Sequence, residues 1–284
     1  MKLWRCAHHE IDWSQKTLVM GIVNATPDSF SGDSFSGDGA RGENALLHAL
    51  KLVEEGADIL DIGGESTRPG AHEVSLDEEL ARVIPLLEEL AGRTRIPLSI
   101  DTTKSEVARR AIAAGASIVN DISGATFDPK MVEVVAQSSA GLVLMHLRGT
   151  PQSMKASENF GEKTDVIAEI LGFWSERIGA AHAVGIADYR IALDAGFGFG
   201  KSLQENMEIL KRGRELAAFG FPTLSGTSRK SSIGKILDGA GVENRLFGTA
   251  ATTALAIANG AAIIRVHDVK EMRDVARVCD AICR

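Results

Sequence analysis

The side chains best able to do chemistry in this 284-residue sequence stand where short apolar runs end. They comprise carboxylates, amides, two histidines, a serine and an arginine: Asn24, Asp61, Asp101, Asn120, Asp121, His146, Asp194, Ser225, Arg265, His267 and Asp268. Carboxylates and amides form the paired hydrogen bonds that suit a flat heterocycle with N–H and amino groups. If folding brings these run ends together, they would bind a polar small molecule at several points.

Cationic residues concentrate in two further segments. The segment GTSRKSS (226–232) contains Arg229 and Lys230 beside Ser228. Arg265 and His267 lie two residues apart, so both would point to the same face of a strand. Two or more cations that converge on one site suggest that the bound molecule carries a diphosphate.

The elements that must position these residues repeat along the chain. An amphipathic stretch ends at a glycine, then a β-branched run follows and ends in a polar residue, as in EEGADILDIGG (54–64), AAGASIVNDISG (113–124) and ANGAAIIRVHD (258–268). The glycine is typical of a helix C-cap, and a continuous apolar run is typical of a strand buried on both faces of a parallel sheet. The repeat therefore predicts alternating strands and helices.

Eight strands are predicted in all, and a helical stretch follows each of them. The strands lie at about 18–24, 58–62, 97–101, 117–121, 141–146, 190–194, 222–226 and 262–267. The helices lie at about 42–55, 76–91, 104–114, 128–139, 163–184, 203–219, 244–259 and 269–282. This pattern predicts a (β/α)8 barrel that forms a single domain over residues 1–284. A doubly wound sheet is the alternative, but GFGFG (196–200) lacks the glycine spacing of its dinucleotide site.

Barrel enzymes place their active sites at the carboxyl ends of the strands, and they hold phosphate groups after strands seven and eight. We therefore expect the polar run ends and the two cationic segments to form one site, with Met145 as an apolar floor. A simpler interpretation exists for a single carboxylate, which can cap the next helix. That alternative applies best to Asp61 and Asp121.

Two predicted loops are unusually polar. The first, NATPDSFSGDSFSGDGARG (24–42), contains SFSGD twice, at 29–33 and at 34–38. The second, GGESTRPGA (63–71), offers Thr67 and Arg68 before a turn. Loops of this composition are too polar to pack in a core, so we expect both to be mobile and to join the site.

Composition narrows the function classes. The chain has 31 Lys+Arg against 38 Asp+Glu, a net charge of −7, and 44% hydrophobic residues, which is ordinary for a soluble globular protein. An acidic chain without a basic stripe is not expected to bind nucleic acid. Three cysteines do not suggest a disulfide framework. The sequence starts without a signal peptide and has no membrane span, so we expect a cytoplasmic protein.

From Met20 to about Asp268 the chain resembles the dihydropteroate synthase family. The matching segments are, in order, MGIVNATPDSFS, DIGGESTRPGA, LSIDTTK, IVNDISG, MHLRGTPQSM, DAGFGFGK, GTSRKSSIG and RVHDV. The resemblance implies a (β/α)8 barrel, usually a homodimer. It also implies that p-aminobenzoate is joined to 6-hydroxymethyl-7,8-dihydropterin diphosphate, with release of pyrophosphate in the presence of Mg²⁺.

The same resemblance implies roles for individual residues. The pterin ring would be held by Asp101, Asn120, Met145, Asp194, Gly226 and Lys230. The diphosphate would be held by Asn24, Arg68, Arg265 and His267, with Asn24 also a ligand of Mg²⁺. p-Aminobenzoate would be surrounded by Phe30, Thr67, Arg68, Pro69, Phe199, Lys230 and Ser231. Catalysis would involve Asp101, Lys230, Arg265, His267 and Asp38.

The duplicated loop departs from the family pattern, which has one Ser-Phe-Ser followed shortly by Asp-Gly. Here Asp33 and Asp38 are both candidates for the loop carboxylate, and Phe30 and Phe35 for the loop aromatic. Asp38 is followed by glycine and fits the family ending better. Two other functions remain open. One is a pterin-dependent methyltransferase barrel, which would have no use for the diphosphate-binding cations. The other is a non-catalytic paralogue, whose only support is the altered loop.

Overall fold

The computed structural model describes residues 2–25, 38–66, 73–154 and 165–284, with side chains of the first helix described from Asn44 onward. Its strands are β1 Leu3–Cys6, β2 His9–Asp12, β3 Leu18–Asn24, β4 Ile59–Gly63, β5 Leu98–Asp101, β6 Ile118–Asp121, β7 Gly141–Met145, β8 Ile191–Asp194, β9 Thr223–Ser225 and β10 Ile263–Val266. Strands β3 to β10 run parallel and close into a barrel in chain order. The predicted (β/α)8 fold is thus confirmed, and every predicted barrel strand is present.

Helices connect the strands on the outside of the barrel. Their bounds are α1 Asp38–Glu55, α2 Leu76–Arg93, α3 Ser105–Ala113, α4 Met131–Ala136, α5 Val166–Ala183, α6 Leu203–Lys211, α7 Gly213–Ala217, α8 Ser231–Ile236, α9 Leu246–Ala258 and α10 Val269–Cys283. In the parts of the chain that the structure describes, no helix is long and apolar enough to cross a membrane.

Two helix predictions were inaccurate in detail. The single helix predicted over 203–219 is two helices, since the backbone leaves helical geometry at Arg212. Asn259 Nδ2 donates to Leu210 O at 2.8 Å and so satisfies a carbonyl close to this break. The helix predicted over 128–139 spans only Met131–Ala136. Propensity alone does not locate such ends, because side chains from distant elements decide which backbone groups are satisfied.

The barrel strands alternate between the inside of the barrel and the surrounding helices. In β4, β6, β8 and β10 the lower inward residue is apolar, and the inward residue two positions later is polar. The pairs are Ile59 and Asp61, Ile118 and Asn120, Ala192 and Asp194, and Ile263 and Arg265. Because side chains two residues apart share a face, each strand contributes both to an apolar base and to a polar layer above it.

A feature that the sequence analysis did not predict closes the barrel at its lower end. Strands β1 and β2 form an antiparallel hairpin, and its Trp4 and Cys6 are fully buried against the apolar base. Trp4 Nε1 donates to Arg190 O at 3.1 Å, which fixes the hairpin below β8. The polar layer therefore faces only the upper mouth of the barrel.

Candidate active site

Asp61 is the centre of the polar layer. Its side chain is 0% exposed and accepts three hydrogen bonds from three other strands. Ser99 Oγ donates to Oδ1 at 2.6 Å, Asn120 Nδ2 donates to Oδ2 at 3.0 Å, and Arg265 Nε donates to Oδ2 at 2.5 Å. The alternative interpretation of Asp61 as a helix cap is therefore wrong, and Ser75 occupies the N-cap of α2 instead.

Arg265 connects Asp61 to Asp101. Its Nη2 donates to Asp101 Oδ2 at 2.5 Å, so one guanidinium faces two carboxylates. Burial raises the pKa of Asp101 well above its usual range, against the attraction of Arg265 and with added repulsion from Asp61. Since a single cation cannot fully compensate two buried anions, Asp101 at the mouth takes up a proton readily.

Asp194 faces Asp101 from β8 and is bound by the loop that follows it. Gly196 N donates to Asp194 Oδ1 at 2.7 Å. Burial raises the pKa of Asp194, while the Gly196 hydrogen bond and the charge of Lys230 oppose the rise. Asp101, Asn120 and Asp194 thus line one layer, as their positions at the ends of β5, β6 and β8 predict. Together they can bond the N–H and amino groups of a heterocycle.

Lys230 lies in the segment that follows β9, on the opposite side of the barrel from Asp101 in β5. Its Nζ lies 3.7 Å from the centre of the Phe199 ring, a cation–π contact. Burial lowers the pKa of Lys230 to about 7, with further lowering by Arg265 and opposition from Asp194 and Asp101. The ammonium is therefore only partly charged near neutral pH, and a bound anion would increase its charge.

The floor of the mouth is apolar. Met145 is 2% exposed and packs in a cluster with Ile122, Met154 and Phe199. Across the site Gly226 borders open space, because a Cβ there would have no atom within 4 Å. A flat ring can therefore approach the backbone at Gly226 while it lies on Met145.

The remaining residues of the two cationic segments differ in the partners that they contact. His267 Nδ1 and Ser228 Oγ lie 3.0 Å apart, which places the histidine beside the β9 loop. Arg229 forms an ion pair with Asp268, so its charge is compensated at the rim. Ser231 is exposed and begins α8. The two cationic segments thus meet as predicted, but Arg229 is turned toward Asp268.

Asn24 ends β3 beside the polar layer and is partly buried. Its amide oxygen is a hard donor of the kind that Mg²⁺ accepts. Among the described residues no group of three or more His, Cys, Asp or Glu side chains could hold a metal ion. Mg²⁺ commonly binds through one or two protein groups and the phosphates of a substrate, so this donor set fits an ion that is held mainly by a diphosphate.

A cavity of about 410 Å³ opens beside Asp101, among the described segments that follow β4, β5, β6 and β7. Its lining includes Asp101, Thr102, Lys104, Ile122 and Phe127. Lys104 Nζ bridges Glu65 at 2.5 Å and the buried Glu79 at 2.6 Å, which fixes the described start of the second loop.

Several predicted site residues lie outside the described residues. They are Phe30, Asp33, Phe35, Thr67, Arg68 and Pro69, so the assignments within both long loops stay predictions. Asp38 is the first residue of α1, four positions before the predicted helix start, and its side chain is not among those described.

Two rim residues do not face the mouth. His146 points outward, with its ring 5.1 Å from Phe173 and Nε2 3.3 Å from Glu169. Asp121 accepts hydrogen bonds from the backbone N–H and the hydroxyl of Ser123, so its role is structural, but it does not cap α4, whose N-cap is Lys130.

One functional candidate escaped the sequence analysis, and another was undervalued. The undervalued residue is Asp61, for which the sequence analysis kept a helix cap as an alternative role. Its position two residues after Ile59, like that of Asn120 after Ile118, could have predicted a side chain that points into the barrel. The missed residue is Lys201, which is fully buried below the β8 loop. A lysine after GFGFG gives no sequence signal of burial.

Comparison with known proteins agrees with this geometry. The model of a family described as pterin binding enzyme matches residues 20–267. The chain belongs to this family.

Individual relatives are similar over nearly the whole chain. The dihydropteroate synthase of Synechocystis sp. is 49% identical over 273 residues, which cover 96% of this chain and 92% of that protein. The Xanthomonas albilineans dihydropteroate synthase solved with 4-aminobenzoic acid has a TM-score of 0.89 and 42% identity, and covers 99% of this chain and 98% of its own. The Burkholderia cenocepacia enzyme complexed with 7,8-dihydropteroate has a TM-score of 0.86 and 41% identity, with 99% and 96% covered.

Asp61 and Asp101 should respond differently to substitution by asparagine. Asp61→Asn removes the buried charge that faces Arg265 and should lower the free energy of unfolding by about 3–5 kcal/mol. Asp101→Asn resembles the protonated form that burial already favours, so it should cost less stability but weaken pterin binding at least tenfold. Urea denaturation and calorimetric titration with a dihydropterin measure the two effects. Equal loss of stability in both variants would contradict this assignment.

Proposed function

We propose that this chain joins 6-hydroxymethyl-7,8-dihydropterin diphosphate to p-aminobenzoate, giving 7,8-dihydropteroate and pyrophosphate in folate biosynthesis. The proposal depends on one observation above all: a closed carboxylate and amide layer around Arg265 lies next to a lysine stacked on an aromatic ring. This arrangement suits a ligand with a polar heterocycle at one end and a strongly anionic group beside it. The names of the relatives support the same reaction.

The pterin ring would lie in the polar layer on Met145. Asp101 and Asp194 would accept hydrogen bonds from ring N–H and amino groups, and Asn120 can both donate and accept. Asn120 is oriented by its bond to Asp61, so it presents a fixed pattern to the ring. A ring without the amino group would leave buried acceptors unpaired, which gives selectivity.

Bond breaking would precede bond making. The bond between the pterin CH₂ carbon and the diphosphate oxygen breaks, the electron pair leaves with pyrophosphate, and an electron-rich ring carries the resulting cation. Asp101 would stabilise this cation, while Lys230, Arg265 and His267 would neutralise the leaving group. The amine of p-aminobenzoate then forms the C–N bond and loses a proton to water. Its attack depends on position more than on a base.

Asn24 would hold Mg²⁺ together with the diphosphate oxygens. When bound, the ion adds positive charge at the leaving oxygens. Asp38 would be the loop carboxylate near the reacting centre, and Phe30, Thr67, Arg68, Pro69, Phe199 and Ser231 would surround p-aminobenzoate. These assignments rest on the family resemblance.

The reaction is tested by pyrophosphate release with each component omitted in turn. Release should require the dihydropterin diphosphate, p-aminobenzoate and Mg²⁺, and the product should be 7,8-dihydropteroate by mass spectrometry. The Asp101→Asn variant is the matched negative control. Binding of the dihydropterin without turnover would instead favour the non-catalytic paralogue, and transfer of a methyl group from methyltetrahydrofolate would favour the methyltransferase.

Binding of the diphosphate should weaken as the pH rises through the pKa of Lys230, about 7 in the free protein. The charged ammonium binds the anion, so affinity is full below this pKa and falls by up to about tenfold per pH unit above it. Calorimetric titrations between pH 6 and 9 measure the slope. Lys230→Met should flatten it, and the dihydropterin alcohol, which lacks the diphosphate, should show no such slope in either protein. Equal slopes for the diphosphate in both proteins would contradict the role of Lys230.

We also propose a homodimer formed through α9 and α10. These neighbouring helices expose four large apolar side chains: Phe247 at 86%, Leu255 at 54%, Val278 at 61% and Ile282 at 77%. Apolar exposure of this extent on two adjacent helices favours burial against another copy.

Sedimentation velocity tests the homodimer. Phe247→Glu with Leu255→Glu should shift the protein from dimer to monomer, because the charges would be buried in the interface. Tyr189→Ser, on an exposed apolar side chain at the lower end of the barrel, is the control and should leave the dimer intact. A wild-type protein that sediments as a monomer would refute the proposal.

The cysteines support a cytoplasmic location, which we propose in addition. All three are free: Cys6 is buried, Cys279 is partly buried and Cys283 is exposed. An exposed thiol is best preserved in a reducing compartment.

A further inference from the structure

Lys201 lies just outside the proposed catalytic machinery, yet its environment is highly specific. The side chain is 2% exposed, and its ammonium donates to three backbone carbonyls. Nζ lies 3.1 Å from His146 O, 3.0 Å from Gly196 O and 3.2 Å from Phe199 O. Every N–H of the ammonium is therefore used, and all of its acceptors belong to the two segments that follow β7 and β8.

These bonds attach the β8 loop to the end of β7. The contact is close: a Cβ at Gly196, which has φ +66°, would lie 2.0 Å from His146 O. Only glycine can adopt this conformation at such a distance. The loop thus lies directly against the end of β7, and Lys201 supplies a donor to each of the three carbonyls, of which Gly196 O also accepts from Phe199 N at 3.0 Å.

The β8 loop, held in this way, contains the residues that contact the Lys230 side chain. A Cβ at Gly198 would lie 3.1 Å from Lys230 Cδ, and Phe199 presents its ring to Lys230 Nζ. A second anchor holds the same loop from α6, since Gly198 N donates to Asn206 Oδ1 at 2.6 Å. The position of the Lys230 ammonium therefore depends on where this loop lies.

Charged side chains near Lys201 form ion pairs that connect the segment after β7 to helices α5 and α6. Arg148, which follows β7, donates to Glu169 of α5 and, at 2.7 Å, to Glu205 of α6. Burial lowers the pKa of Lys201 to about 7, and Arg148 lowers it further, while Asp194, Glu169 and Glu205 oppose. Removal of this buried ammonium would take a donor from all three carbonyls, of which Gly196 O keeps the bond from Phe199 N.

We propose that Lys201 is a positioning residue for catalysis: through the β8 loop it holds Phe199 under Lys230 and so fixes the cation that neutralises the leaving pyrophosphate. The backbone of Asp194 is held by its strand, which pairs with β7 and β9, and only the hydrogen bond of its side chain with Gly196 N depends on the β8 loop. Loss of Lys201 should therefore affect the chemical step more than pterin binding. This inference rests on the proposed function.

The first test compares Lys201→Met with Lys211→Met, whose side chain is 75% exposed on the next helix. Lys201→Met should lower kcat about tenfold and leave the dissociation constant of the dihydropterin alcohol, which lacks the diphosphate that Lys230 binds, within about threefold. Lys211→Met should change neither. A folded Lys201→Met protein with wild-type kcat, or one that loses kcat and affinity for the dihydropterin alcohol together, would overturn the proposal.

A double-mutant cycle separates positioning from general destabilisation. If Lys201 acts through Phe199, then Lys201→Met should cost little further kcat in a Phe199→Leu protein, whereas independent effects would multiply. Multiplying effects would overturn the proposal. If Lys201→Met does not fold, Asn206→Ala serves instead, because it removes the hydrogen bond that holds the same loop at Gly198. This variant should show the same kinetic pattern. An unchanged kcat in Asn206→Ala would also overturn the proposal.

A readout without turnover distinguishes this inference from the proposed function. The rate at which acetic anhydride labels Lys230, followed by peptide mass spectrometry and normalised to Lys235, should rise at least threefold in Lys201→Met as the loop leaves Lys230. An unchanged rate would refute the inference even if the protein makes dihydropteroate. If the wild-type protein releases no pyrophosphate, the proposed function fails while the labelling still tests the loop.

Discussion

The ion pair of Asp61 and Arg265 is the interaction on which the site depends. A buried carboxylate without compensation is costly, and Asp61 in β4 has its compensation only when β10 closes the barrel on the other side of β3. The same guanidinium then reaches Asp101, and the same carboxylate orients Asn120. Two anions against one cation leave the layer short of positive charge. Such a layer favours a ligand that donates hydrogen bonds, and it leaves Asp101 poised to meet a cation that forms in the ring.

The closed barrel offsets the free-energy cost of this buried charged layer. Its strands bury apolar residues on their outer faces and on the lower part of their inner faces, so few inward positions near the carboxyl ends need be polar. The hairpin of β1 and β2 seals the lower end with Trp4 and Cys6. Water and ligands therefore reach the polar layer only from the mouth, where the electrostatic interactions of a reacting group are strong because solvent is limited.

The sequence predicted the strands well because each buried strand is a continuous apolar run that ends in a polar residue. It predicted the layer of Asp101, Asn120 and Asp194 for the same reason, since the ends of parallel strands meet at one rim. It did not predict that Asp61 is the centre of the layer, because its partners lie 38, 59 and 204 residues away along the chain. Nor did it predict the hairpin or Lys201, whose burial depends on carbonyls of distant loops. The assignments to Phe30, Thr67, Arg68 and Pro69 lie outside the described residues and stay predictions.

The two halves of the site are held by different physical means. The half that would recognise the heterocycle consists of strand residues, and their spacing is set by barrel register, which small changes in loops do not alter. The half that would neutralise the diphosphate adds Lys230 and His267 in loops to the strand residue Arg265, and the positions of these two loop residues depend on contacts such as Lys201 with three carbonyls and Ser228 with His267. Recognition is therefore robust, whereas charge placement can be adjusted by a few loop anchors. In such a barrel the rate of the chemical step can change while the ligand that it binds stays the same.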